Sequence, residues 1–68
     1  MALAETDFAL LLERYTNAMN AHHKCMTALI DAMTSDSEPS AEIVADERQA
    51  HSELIMARER LMYALLRR

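Results

Sequence analysis

The chain contains no glycine and one proline, Pro39, which lies in the only polar stretch that interrupts two halves of otherwise mixed character. Glycine and proline are the usual punctuation of turns, so a chain this poor in both has few places to break. β-Branched residues are sparse as well, which leaves strands little support. The stretch Thr34-Ser35-Asp36-Ser37-Glu38-Pro39-Ser40 collects residues that cap helices or make turns. The expectation is an all-α domain spanning residues 1–68, with a helix over about 6–34, a turn at 35–39 and a second helix over about 40–67. Thr6 is the expected cap of the first helix, and Ser37 or Ser40 that of the second, with Pro39 tolerated in a first turn. A single helix running the whole length would have to carry Pro39 and the Ser/Asp cluster internally, which opposes it.

Both halves show helical periodicity. Phe8, Tyr15, His22 and Leu29 recur every seven residues, interleaved with Leu11, Ala18, Cys25 and Ala32. After the turn, Ile43, Ala50, Ala57 and Ala64 alternate with Glu47, Leu54 and Leu61. Such rows form the seam of an antiparallel coiled-coil hairpin, with small residues such as Ala18 and Cys25 facing Ala50 and Ala57. Pairing outward from the turn places His23 near His51 and Arg14 near Arg60. A further row, Leu12, Met19, Met26 and Met33, lies beside the first seam, and Val44, His51, Arg58 and Leu65 flank the second. The apolar stripe is therefore wider than one two-helix seam requires and has the width found in bundles. Leu12, Met19, Met26, Ile30, Met33, Ile55, Met62 and Leu66 are the candidate partner-binding residues, because one seam leaves them in water as an apolar patch that soluble monomers rarely carry. The fold expected is a two-helix hairpin that completes a helical bundle with a partner chain.

Size points the same way. At 68 residues a single core seldom supplies more than about 3–5 kcal/mol, and small domains add disulfides, metals or subunits. The lone Cys25 forms no internal bridge and fits a reducing cytoplasm. No apolar run approaches the length of a membrane span, and the first residues lack the basic and apolar regions of a signal peptide. A net charge of −4 opposes binding to nucleic acid or anionic lipid, and an RNA-binding bundle would need a basic face that only the terminal arginines offer.

Few constellations could carry chemistry. His22, His23, Cys25 and His51 include ligand types that zinc accepts, but their spacing matches no standard motif, and packed seam residues are the simpler reading. Histidines in a seam also allow a pH-sensitive contact. A Cys25–His22 nucleophile pair would need an orienting group and a cleft. The acids Glu42, Asp46 and Glu47 suit the start of a helix. The expectation is a protein that is not an enzyme and has no cofactor or metal.

The Leu10-Leu11-Leu12 run, the short turn ending in Pro39, Glu53 within the second helix and the end Leu61-Met62-Tyr63-Ala64-Leu65-Leu66 together resemble the small helical-hairpin co-chaperones of type III secretion needle subunits. That resemblance covers most of the chain. It implies a bacterial cytoplasmic protein that pairs with a tetratricopeptide-like chaperone to keep a needle subunit unpolymerised. The needle subunits are hairpins too, but their usual Pro-Ser-x-Pro-like turn is missing and Leu65-Leu66-Arg67-Arg68 is unlike their tail. The rival expectation is self-association, two hairpins forming a homodimeric four-helix bundle with a structural or regulatory role.

Overall fold

The computed structural model describes residues 5–35 and 38–67, with side chains from Asp7 onward. Two helices, α1 (Glu5–Thr34) and α2 (Ala41–Leu66), pack against each other as a hairpin. The molecule is a rod of 52 × 15 × 13 Å. Its cross-section is that of two helices side by side, since packed axes lie about 8–10 Å apart.

Local chemistry sets the ends. Ser40 caps α2 from an extended conformation (φ −66°, ψ 157°), its hydroxyl accepting a hydrogen bond from the Ile43 amide at 3.2 Å. Of the two candidate caps it is Ser40 that caps α2, so Pro39 precedes the cap and does not enter the first turn. Outside the helix it holds the incoming chain extended without removing a helical donor. Ser37, the other candidate cap, lies outside the described residues. At the end of α1 the Thr34 and Ser35 hydroxyls donate to the carbonyls of Ile30 and Asp31, both at 2.8 Å, and the Asp31 carbonyl also accepts from the Ser35 amide at 3.1 Å. α1 already includes Glu5, one residue ahead of the expected cap at Thr6, whose side chain is outside those described. Arg67 closes α2 in a right-handed conformation, with its amide on the Tyr63 carbonyl at 3.2 Å and its guanidinium 5.1 Å from the Tyr63 ring centre.

The seam follows the seven-residue rows. Phe8, Leu11, Tyr15, Ala18, His22, Cys25, Leu29 and Ala32 are all half-buried on α1, as are Ile43, Glu47, Leu54 and Ala57 on α2. Ala50, Leu61 and Ala64 are the buried residues, at 7%, 5% and 3% exposure. No described side chain is completely enclosed, because two cylinders meet along a line and cannot surround what lies on it.

His22 fixes the register. Its Nε2 lies 3.3 Å from Oε2 of Glu47, and its ring centre lies 5.2 Å from that of His51. His22, and not the exposed His23, is thus the residue level with His51, one position away from the expected pairing. Glu47 and His51 are one helical turn apart, so His22 sits across from Ala50 between them. Carried along the repeats, this register places Tyr15 across from Ala57, Ala18 from Leu54 and Phe8 from Ala64, and also Leu11 from Leu61 and Leu29 from Ile43.

Candidate functional site

Writing the seam of α1 as positions a (Phe8, Tyr15, His22, Leu29) and d (Leu11, Ala18, Cys25, Ala32) makes Leu12, Met19, Met26 and Met33 the e row. On α2, Glu47, Leu54 and Leu61 are a, and Ala50, Ala57 and Ala64 are d, so Val44, His51, Arg58 and Leu65 form its e row. In an antiparallel pair the two e rows lie on one side of the seam and the two g rows on the other. Both e rows therefore border the same flank of the hairpin. The adjoining b positions, about one-seventh of a turn further out, add Ile30 from α1 and Ile55 and Met62 from α2. The g side is confirmed by a shallow cavity of about 150 Å³, lined by Cys25 and Ile43 from the seam, Ala28 and Asp46 from the two g rows, and Lys24.

On the e side, Leu12, Met19, Ile30, Met33, Val44, Ile55, Met62 and Leu65 are all between 37% and 54% exposed. Each retains a large part of its side chain in water. Met26 differs, being half-buried beside the seam, so it anchors the row and is not fully outward. Leu66 is 87% exposed, but its heptad position puts it on the back of α2, away from the others. Sequence reasoning placed Val44 and Leu65 beside the seam without assigning them to the site. Counting each helix's second stripe separately would have found them, since 44, 48, 51, 55, 58, 62 and 65 repeat the four-and-three spacing of a seam. The second stripe of α1 (9, 12, 16, 19, 23, 26, 30, 33) does the same. On α2 that stripe carries Arg48, His51 and Arg58 among its apolar residues.

His22 meets Glu47 and His51, whereas Cys25 opens to the cavity on the opposite side. Among the described residues no three His, Cys, Asp or Glu side chains converge as ligands for a metal ion. The cavity is smaller than the roughly 300–1,000 Å³ of small-molecule sites. No described helix is long and apolar enough to cross a membrane. Comparison of the chain with protein-family models, with curated proteins and with solved structures finds no match.

Proposed function

We propose that this chain is a non-catalytic, protein-binding hairpin, an adaptor or co-chaperone that contributes two helices to a larger helical assembly. The observation that carries this reading is the second stripe of exposed apolar side chains, nearly continuous on α1 and interrupted by Arg48, His51 and Arg58 on α2, bordering one flank. A third helix laid along that flank would bury eight half-exposed apolar side chains, each contributing on the order of 1 kcal/mol as about half of its area leaves water. Thinness of the core supports the same reading. The solvent-accessible surface is 5437 Å², about a quarter more than the roughly 4,300 Å² of a compact globule of this mass. A partner would return that excess.

The specific form we propose is a cytoplasmic co-chaperone whose groove-forming partner is tetratricopeptide-like, with a type III secretion needle subunit as the shared client. Support for it comes from the layout of the hairpin and the resemblance of its helices, and from a helix-in-groove docking mode that suits a methionine-rich row. The test is coexpression with such a chaperone, followed by sedimentation and thermal melting of the purified species. A one-to-one complex that melts well above the isolated chain supports the reading. A tight, heat-stable homodimer that ignores the chaperone overturns it. Within a complex, Met19→Asp should abolish copurification while Glu42→Ala leaves it intact, because only the first places a charge in a dry contact.

A further inference from the structure

The flank that carries the apolar row is also sorted by charge. Among the described side chains, the only permanently charged groups at its b and e positions are Arg48 and Arg58. Of the described carboxylates, Glu47 reaches the inner margin of this flank, on His22 beside the e-row His51, and Glu13 and Glu59 stand at f positions just outside the b rows; Asp7, Asp46 and Glu53 lie in the g rows, Asp31 and Glu42 on the backs and Glu38 in the turn. Among the described residues the ion pair of Arg58 is with its neighbour Glu59, at 3.8 Å and largely in water. A chain of net charge −4 thus presents a docking face that is apolar and cationic.

We infer that the occupant of this flank is an amphipathic helix of another protein whose apolar stripe is edged by carboxylates. This rests on the protein-binding reading above and narrows it. Covering the flank takes water from part of each guanidinium, Arg58 keeping Glu59 beside it, and cations that lose water favour a covering surface that brings anions. A second copy offers Arg48 and Arg58 again, with carboxylates only at the margins of the same flank, so face-to-face pairing of two copies sets cation near cation and matches less well. The two arginines are ten residues apart on α2, which spaces them about 15 Å along the axis. The matching carboxylates sit about three helical turns apart on the incoming helix. The acids on the far side oppose this little, since a rod 13–15 Å thick exceeds the Debye length of about 8 Å at physiological salt. An anionic lipid surface shares the chemistry, but two arginines at about 1 kcal/mol each hold a chain there weakly.

The test uses the full chain and two fluorescent synthetic helices with the same Leu/Ile stripe, one edged with Glu and one with Lys at that spacing. The Glu-edged helix should bind about tenfold more tightly at low salt, and the preference should shrink as salt rises. The double variant Arg48→Glu/Arg58→Glu, with unchanged helical circular dichroism, should reverse it. Equal binding of both helices overturns the charge assignment while leaving helix docking in place. Binding of neither overturns both, and the source of the failure is then read directly. Self-association lost in Met19→Asp assigns the flank to a second copy, and retention on phosphatidylserine vesicles alone assigns it to lipid.

Discussion

Glu47 occupies a seam position that the periodicity gives to leucine, and it is held there by His22 at 3.3 Å, with each side chain about one-fifth exposed. Such a pair offsets little more than its own desolvation. Glu47→Leu should therefore stabilise the isolated chain by about 1 kcal/mol, read as a raised urea midpoint. A drop in stability would show that the pair stabilises more than an apolar contact does. Leu61, at 5% exposure, is the largest of the buried residues, and Leu61→Ala should cost about 2–4 kcal/mol. Leu66→Ala should change stability by less than about 0.5 kcal/mol, which the same titration measures. The seam itself was legible residue by residue, because a repeat of seven leaves one choice of face. The level of His22 was not, since an offset of a single residue depends on how the chain leaves α1 and enters at Ser40, and periodicity is silent on connections.

The helices are held at their ends by hydroxyls. Ser40→Ala removes the acceptor for the Ile43 amide and should cost about 1 kcal/mol, read as a lowered melting temperature and faster amide exchange in the first turn of α2. Full stability in that variant would mean that Pro39 and the backbone suffice to start the helix. Thr16, Thr27 and Thr34 each donate to the carbonyl four residues back, at 2.8–3.0 Å. That bond stabilises the hydroxyl on a helix without any neighbour and explains why three threonines are tolerated in α1. Element boundaries came within a residue or two of expectation, because the caps are local chemistry. Which flank each outer row borders was the harder matter, since it depends on the chain reversing direction, a property of two elements and not of either alone.

At the scale of the molecule, the hairpin has a seam but no interior. The isolated chain should accordingly melt at a low temperature that rises with the concentration of a bound partner, as mass action requires, and calorimetry with and without that partner checks it. Added chelator should leave the transition unchanged, because no described cluster offers three ligands; a fall of many degrees would show that a metal is part of the folded state. The length of 52 Å against a width of 15 Å has one more effect. Free in solution, such a rod meets high frictional drag and tumbles far more slowly end over end than about its long axis. A helix docking alongside thickens it without lengthening it, so its arrival would make the particle heavier yet rounder, and the two changes would be separable by joint measurement of sedimentation and rotational correlation times.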